Sequence, residues 1–361
     1  MNRSRIAFPL VFVLLSAGAG CPTDDPVGDD DTTGDDDATG DDDTTENPWS
    51  YPLDDTLTFS HLQALGTHNS YHLETGETPV VAWDYSHLPL DEQLGLLGVR
   101  QFELDINRNP DTDEFEVFHV WFIDQNSTCP LLADCLASMK DWSDRNPAHH
   151  PFLTLLEVKD PYQDEDRAAD SLAALDAEIL AIWPRDRLVT PDQVQGEAPN
   201  LRDALADRGW PTLGELRGRA LFVLHEGGGY RSVYTDGGTT TVGRVMFPDA
   251  QGDVSAPYAA VHSMNDPLGG QESIQAVVDA GHLVRTRADT ESTQAWALDY
   301  SRLEAALSSG AHFISTDYPA PHYETGYTVT IPGGTPSACN PRSAPAECTS
   351  EAVEDPVFVG E

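Results

Sequence analysis

The chain has only two lysines, Lys140 and Lys159, among its 361 residues, and its formal net charge is −41. So acidic a chain repels polyanions, which argues against nucleic acid as a partner. Long apolar runs are also lacking. The run at residues 6–15 is too short for a membrane-spanning helix, which needs roughly 20 residues. The composition therefore predicts neither a nucleic-acid-binding protein nor an integral helical membrane protein.

Cysteine is scarce too, with five in the chain. Apart from Cys21, the cysteines form two close pairs, Cys129 with Cys135 and Cys339 with Cys348. Neither pair has the C-x-x-C spacing of zinc or redox sites. In an oxidising compartment these spacings predict two local disulfides. Free buried thiols are the alternative.

The N-terminus indicates export. Residues 1–20 combine Arg3 and Arg5, an apolar run and a stretch of small residues, which is the layout of a secretory signal peptide. The Gly-Ala-Gly tripeptide before Cys21 is typical of a permissive lipobox. We therefore expect lipidation of Cys21 and anchoring to the outer membrane or cell surface. Ordinary signal cleavage, which would give a secreted protein, is the alternative.

Residues 21–50 form the lipidation cysteine and an Asp-rich linker. A six-residue unit at 29–34 recurs at 35–40, and residues 24–46 contain twelve acids and no bases. Such a segment cannot bury apolar surface, and its like charges keep it extended. We expect a disordered tether, with a calcium-binding repeat as the alternative. The folded domain is expected at 51–361, ending in a disulfide-stapled extension.

Beyond the tether, strand-like and helix-like segments alternate, which favours parallel strands with helical crossovers. Helical periodicity is clearest at 168–182, 271–280 and 302–308. Strand-like patterns occupy eight segments: 65–68, 99–106, 116–120, 152–158, 220–225, 258–263, 282–287 and 312–316. Eight such units predict an α/β fold, a (β/α)8 TIM barrel with its site at the C-terminal strand ends. The sixth strand is the least distinct, since residues 230–257 are glycine-rich and irregular.

Two acids on one predicted strand indicate a metal site. Strand side chains alternate between faces, so Glu103 and Asp105 share a face. Neighbouring carboxylates repel each other unless a proton or a cation lies between them. Asn69 and Glu157, at the ends of other strands, supply further oxygen ligands. The pattern predicts a hard divalent cation bound by oxygen atoms.

The polar motifs follow one another in the order His68-Asn69, Glu103-x-Asp105, His119 and Glu157. This order resembles the catalytic half of phosphoinositide-specific phospholipases C, and it is most similar to their secreted bacterial, calcium-dependent branch. The resemblance continues at 217–224, 284–289, 315–319 and 331–334. Glycerophosphodiester phosphodiesterases share the Glu-x-Asp element but open with His-Arg-Gly, whereas Asn follows His in this chain.

The resemblance implies a phospholipase C-type phosphoric diester hydrolase with a PLC-like phosphodiesterase barrel. It implies that Ca²⁺ is held by four residues, Asn69, Glu103, Asp105 and Glu157. His68 would stabilise transition-state charge, and His119 would protonate the leaving oxygen. Either Glu103 or Glu157 would take the proton from the inositol 2-hydroxyl. The products from phosphatidylinositol would be diacylglycerol and a cyclic inositol phosphate.

Lys159, Arg285 and Arg287 are candidates for substrate binding, with ion pairs to acids as the alternative. Asp317, after the last strand, is placed to orient one of the arginines. Eukaryotic relatives carry lysines on the fifth strand that bind ring phosphates, whereas residues 220–225 contain none. The resemblance therefore favours phosphatidylinositol without ring phosphates, its glycosylated anchors or another neutral head group.

Two other functions stay open at this point. One is a phosphodiesterase for soluble glycerophosphodiesters, and the other is a catalytically idle binding module on a tether. The complete set of site residues argues against an idle module. Trp121, Phe122 and Ile123 form either a membrane-facing rim or part of the core. We expect a monomer that meets phospholipid through its substrate and its lipid anchor.

Overall fold

Eight parallel strands form a nearly closed barrel in the computed structural model of the protein, which describes residues 51–76, 80–334 and 336–355. The predicted signal peptide, Cys21 and the acidic linker lie outside the described residues. Within those ranges, no helix combines the length and hydrophobicity needed to cross a bilayer.

The ten strands of the structure have the following bounds: β1 Leu62–Thr67, β2 Gln101–Arg108, β3 Phe115–Val117, β4 Phe152–Val158, β5 Ala220–Leu224, β6 Phe247–Pro248, β7 Val261–Ser263, β8 Leu283–Arg287, β9 Phe313–Thr316 and β10 Ala338–Cys339. The barrel order is β6-β5-β4-β2-β1-β9-β8-β7. Its ends meet at a parallel bridge between Asp249 and Val261, where the Ala250 amide donates to the Val261 carbonyl over 2.9 Å. The predicted (β/α)8 barrel is confirmed.

Helices follow most of the barrel strands, with these bounds: α1 Leu90–Leu96, α2 Leu132–Arg145, α3 Glu165–Ile182, α4 Pro191–Gln195, α5 Leu201–Arg208, α6 Leu213–Leu216, α7 Gly228–Tyr234, α8 Gln271–Asp279, α9 Thr293–Ala297, α10 Ser301–Ser308 and α11 Ser350–Val353. The longest, α3, begins where the Asp164 carboxylate accepts the Arg167 amide proton. Its buried face repeats at helical spacing through Ala168, Leu172, Leu175 and Ile179.

The inner face of the barrel is apolar along the earlier part of the strands and charged at their C-terminal ends. Leu153 and Leu155 precede Glu157 along β4, and Val223 of β5 precedes His225, which directly follows that strand. The alternate side chains pack outward against the helices, among them Phe102, Leu104, Leu156 and Phe222. Because side chains alternate along a strand, each strand that starts in the core delivers a polar residue to the same end.

Two predicted strands differ from the structure. The segment 116–120 is not a barrel strand, since β3 pairs antiparallel with β2 as a hairpin. The link between them, residues 109–114, is too short for the crossover that a parallel strand requires. The missing barrel strand is β6, which lies in the segment expected to be irregular.

β1 and β2 approach each other closely at Gly66, which pairs with Gln101. A Cβ at Gly66 would lie 2.9 Å from the Gln101 Cβ atom, which cannot swing away as the end of a side chain can, so the contact requires glycine. Just beyond it, the Ser70 amide donates to the Glu103 carbonyl over 2.8 Å. This close approach brings the end of β1 beside the acidic residues of β2.

Both predicted disulfides form, Cys129 with Cys135 and Cys339 with Cys348. The second staples the C-terminal extension, in which β10 pairs antiparallel with β1. Near the end of the extension, Arg100 and Glu354 form a fully buried ion pair with Nη2 and Oε1 2.8 Å apart. The extension is therefore fixed to the start of β2.

Candidate active site and metal site

A buried ion pair joins Glu103 of β2 to Arg285 of β8. Arg285 has no exposed surface and also donates to Asn265 Oδ1 over 2.6 Å and to Ser315 Oγ over 3.1 Å. Burial raises the pKa of Glu103, but the nearby cations, Arg285 foremost, outweigh it and bring that pKa to about 2. Glu103 is therefore ionised at neutral pH, which suits a metal ligand and weighs against the expected alternative of a general base.

Glu157 and His225 lie beside Glu103, and one ligand atom from each of the three falls within 4.8 Å of the others. His225 Nδ1 is 2.8 Å from Asp249 Oδ2. Burial lowers the pKa of His225, but Asp249 and Glu103 together raise it to about 9. Since a protonated imidazole does not bind metal and Ca²⁺ prefers oxygen, the carboxylates are the better candidate ligands.

Asp105 and Glu157 form ion pairs with the same residue, Lys159. The Lys159 ammonium nitrogen lies 2.9 Å from Asp105 Oδ2 and 3.0 Å from Glu157 Oε1. Both carboxyl oxygens of Asp105 are buried, and neither has a hydrogen bond of good geometry in the described part of the chain. Burial, followed by the charge of Glu157, raises the pKa of Asp105 to about 7.

This donor set fits a calcium ion. Glu103, Asp105 and Glu157 converge, and the unsatisfied oxygens of Asp105 are a feature that a bound cation would remove. Asn69 is buried at the end of β1 with a φ of 42°, a left-handed conformation that asparagine adopts more readily than most residues. An amide oxygen is the ligand type that would complete such a site.

His68 is oriented by two charged residues. Its Nδ1 is 2.8 Å from Asp317 Oδ1, and Asp317 Oδ2 accepts from Arg287 Nη2 over 2.9 Å. A carboxylate only accepts hydrogen bonds, so Nδ1 carries the proton and Nε2 carries the lone pair. Burial, with Arg287 second, lowers the pKa of His68. The neutral ring is suited to accept a proton, whereas the resemblance implied a charge stabiliser.

His119 lies in the loop after β3, away from the end of any barrel strand. Its Nδ1 is 2.9 Å from Asp124 Oδ2, and the ring of Trp83 packs edge-on against it with centroids 5.2 Å apart. About a fifth of the side chain is exposed. His119 is therefore mostly covered but still reaches solvent, and it is held by a loop rather than by the sheet.

The three predicted substrate-binding residues all form ion pairs, which is the alternative that the sequence left open. Arg285 is fully buried against Glu103, so its expected contact with substrate is contradicted. Arg287 binds Asp317, so it is the arginine, of the two considered, that this acid orients. Lys159 binds the acids of the metal site, with a quarter of its side chain exposed.

The sequence did not reveal several partners in this network. Asp249 belongs to the unrecognised end of β6, and Asn265 lies in a loop without periodicity. Alternation along the strand predicts that His225 points inward like Val223, but its role depends on Asp249, which comes from a neighbouring strand end. Asp124 was hidden because nothing in the sequence indicates how its loop folds.

An apolar turn stands beside His119. Trp121, Phe122 and Ile123 are 44%, 91% and 55% exposed, which contradicts the core-packing alternative. Further exposed apolar side chains occur in the segments that follow barrel strands at the same end: Val81, Trp296, Leu298 and Tyr323. The mouth of the site is therefore bordered by apolar groups, although the chain as a whole is strongly acidic.

A comparison with protein families matches residues 57–116 and 109–341 to the family described as phosphoinositide phospholipase C, Ca²⁺-dependent. A comparison with curated protein sequences found no match.

Solved structures share the fold. One is a calcium-dependent phosphoinositol-specific phospholipase C from a Gram-negative Pseudomonas species, with a TM-score of 0.55 and 21% identity over 74% of this chain and 93% of that chain. A second Pseudomonas structure, a complex with myo-inositol, gives a TM-score of 0.54 at 21% identity, with the same coverage. A Ca²⁺-dependent phosphatidylinositol-specific phospholipase C from Streptomyces antibioticus gives 0.56 at 20% identity, covering 73% of this chain and 95% of that chain.

Proposed function

Because the chain belongs to the family of Ca²⁺-dependent phosphoinositide phospholipases C, we propose that it cleaves phosphatidylinositol-type lipids into diacylglycerol and a cyclic inositol phosphate. Glu103 and Glu157 cluster, Asp105 lies close enough to interact with both, and the neutral, oriented ring of His68 lies near Glu103; this arrangement is the observation that supports the reaction. The related Pseudomonas enzyme was solved with myo-inositol, which is the head group of the proposed lipid.

The reaction is an internal displacement at phosphorus. The inositol 2-hydroxyl oxygen forms a new P–O bond, and the bond from phosphorus to the diacylglycerol oxygen breaks. The hydroxyl loses a proton and the departing oxygen gains one, so the step needs a base on one side and an acid on the other. The sites for these two proton transfers are His68 and His119.

Asn69, Glu103, Asp105 and Glu157 would hold the calcium ion. When bound, this ion supplies Lewis-acid chemistry by lowering the pKa of the attacking hydroxyl and stabilising charge on phosphoryl oxygens. The protein prepares the donor set in advance, since Arg285 keeps Glu103 ionised and Lys159 offsets the charges of the other two acids.

His68 takes the proton of the 2-hydroxyl at Nε2. Its hydrogen bond to Asp317 fixes the proton on Nδ1, and burial keeps the ring neutral before the reaction. After the transfer, the imidazolium is paired with Asp317, whose pKa stays near 2 because Arg287 and His68 outweigh its burial. The positively charged His68 ring then stabilises the negative charge that develops on the phosphoryl group.

His119 delivers a proton to the diacylglycerol oxygen from Nε2, because Nδ1 is engaged by Asp124. The apolar turn at residues 121–123 contacts the lipid surface next to this site. Export and lipidation at Cys21, followed by the acidic tether, would keep a monomeric enzyme at an outer surface where phospholipid is encountered.

Product analysis tests the proposal. Purified protein is incubated with phosphatidylinositol in mixed micelles, and with glycerophosphoinositol as a soluble diester, in calcium or in excess chelator. We expect diacylglycerol and cyclic inositol phosphate from the lipid only when calcium is present, and at least about a hundredfold loss in His68→Ala. Faster cleavage of the soluble diester would favour a glycerophosphodiesterase, and no cleavage of either would favour a binding module.

A further inference from the structure

Asp124, in the loop that carries His119, contacts a second histidine, His72. Asp124 is buried, and its Oδ2 atom lies 2.9 Å from His119 Nδ1. On the other side, His72 Nε2 lies 3.0 Å from both oxygens of the same carboxylate. Burial raises the pKa of Asp124, but the hydrogen bonds from His119 and His72 bring it to about 2. Asp124 is therefore an ionised acceptor shared by two imidazoles.

His72 is itself fixed on both ring nitrogens. Its Nδ1 is 2.9 Å from the Tyr85 carbonyl oxygen, and its Nε2 faces Asp124. A carbonyl and a carboxylate are both acceptors only, so the ring is held between two acceptors. The ring is buried, with the face of Tyr85 4.5 Å away between centroids. His72 thus holds Asp124 from the side opposite His119.

The backbone around Asp124 is equally restrained. Val120 and Asp124 exchange two backbone hydrogen bonds of 2.9 Å, which close the apolar turn at residues 121–123. Just beyond, the Thr128 amide donates to the Tyr71 carbonyl over 2.8 Å, and Cys129 is joined to Cys135. The carboxylate that binds His119 is therefore held by its side chain, its turn and the segment that follows.

We propose that Asp124, backed by His72, is the positioning residue of His119. Asp124 keeps a proton on Nδ1 of His119 in every state of the ring, so Nε2 is the atom that gives its proton to the leaving oxygen as the P–O bond breaks. His119 then becomes a neutral ring with the proton still on Nδ1, and Nε2 is free to accept a proton again. This inference rests on the proposed role of His119 as the acid.

Leaving-group dependence tests the proposal. An alkyl leaving group such as diacylglycerol needs a proton, whereas a p-nitrophenolate departs as the anion. For Asp124→Asn in the presence of calcium, we expect kcat to fall at least about a hundredfold on phosphatidylinositol. On the p-nitrophenyl ester of inositol 1-phosphate, we expect less than about a tenfold loss. Asp113→Asn, an exposed acid in the β2–β3 hairpin, serves as the control and should leave both rates unchanged.

The outcomes separate this inference from the proposed function. Equal losses on both substrates, or no loss on either, would overturn the role of Asp124. His119→Ala should show the same leaving-group pattern. If it does not, His119 is not the acid, and the inference fails together with that assignment. If Asp124→Asn does not fold, nitrogen NMR of the wild-type imidazoles decides instead, since neutral His119 protonated at Nδ1 supports the proposal and protonation at Nε2 overturns it.

Discussion

Asp105 is the residue at which function opposes stability most directly. Its carboxyl is buried, and its pKa rises from 3.8 to about 7, first through burial and then through Glu157. Between these two pH values the folded protein binds more protons at this group than the unfolded chain does. Stability without metal therefore falls as the pH rises through this window. Above pH 7 the cost is fully present, and a bound cation relieves it.

We predict that Asp105→Asn stabilises the metal-free protein at pH 8 by about 2 kcal/mol, because it removes a buried charge whose burial and repulsion by Glu157 outweigh its pairing with Lys159. The same change should abolish most of the stabilisation that calcium gives the wild type, since a bound ligand stabilises only the state that holds it.

Calorimetry in chelator and in calcium measures both effects, with Asp113→Asn as the control on an exposed acid. A variant that melts below the wild type in chelator at pH 8, or one that keeps the full calcium shift, would contradict this account of Asp105.

Among the elements, the turn at residues 121–123 has the plainest consequence. Phe122 is 91% exposed with a φ of 65°, so it contributes little to folding. Inserting its ring into a lipid surface is worth about 2 kcal/mol, which is roughly thirtyfold in affinity. We predict that Phe122→Ser weakens binding to phosphatidylcholine vesicles by at least tenfold and leaves the melting temperature unchanged.

Vesicle sedimentation measures this loss. Val242→Ser is the matched control, since Val242 is 65% exposed in the α7–β6 connection, at the N-terminal end of the barrel. Equal binding by Phe122→Ser and Val242→Ser would show that the turn does not meet the lipid.

On the proposed function, the end of β5 is expected to limit which head groups the site accepts. His225 is already paired with Asp249 and Glu103, and the pKa of the adjacent Glu226 rises to about 7 through burial and Glu157. On the strand end itself, at residues 220–225, the one cationic group is His225, which is engaged by these acids and is therefore poorly placed to neutralise a ring phosphate, which adds roughly 1.5 to 2 negative charges. We predict that phosphatidylinositol is cleaved at least ten times faster than its bisphosphate at matched surface concentration and salt.

Comparing the two lipids in the same micelles checks this preference, and Glu226→Lys should reduce it by introducing a cation. Faster cleavage of the bisphosphate by the wild type would reveal a phosphate-binding group elsewhere in the site.

At the scale of the whole molecule, the net charge of −41 governs the approach to a membrane. An anionic bilayer repels such a protein, and salt weakens that repulsion as the screening length falls from about 30 Å at 0.01 M to about 8 Å at 0.15 M. We predict that hydrolysis in vesicles rich in anionic lipid accelerates over this range of sodium chloride. Vesicles diluted with zwitterionic lipid should show a weaker response, and a rate that falls with salt in both would contradict the prediction.

The sequence predicted the barrel, and it placed Glu103 and Asp105 on one face, because both predictions depend on alternation along strands. Glu103, Asp105 and Glu157 converge as two-residue periodicity requires. The hairpin strand β3 has the same local pattern as a barrel strand, and only its partner distinguishes it. β6 is two residues long and contains a proline, so it leaves no periodic signal. The ion pairs of Arg285 and His225 depend on such distant partners, which no local pattern encodes.

Lys159 gives the metal site a built-in competitor. Its ammonium group lies between Asp105 and Glu157, tethered there by its own side chain. A sodium or potassium ion carries the same single charge and would have to displace a group whose effective concentration is very high. A monovalent ion thus gains nothing by the exchange, whereas a divalent ion brings a second charge to the same acids. We therefore expect the proposed site to discriminate by valence before coordination geometry comes into play, which would keep it available to calcium in a salty medium.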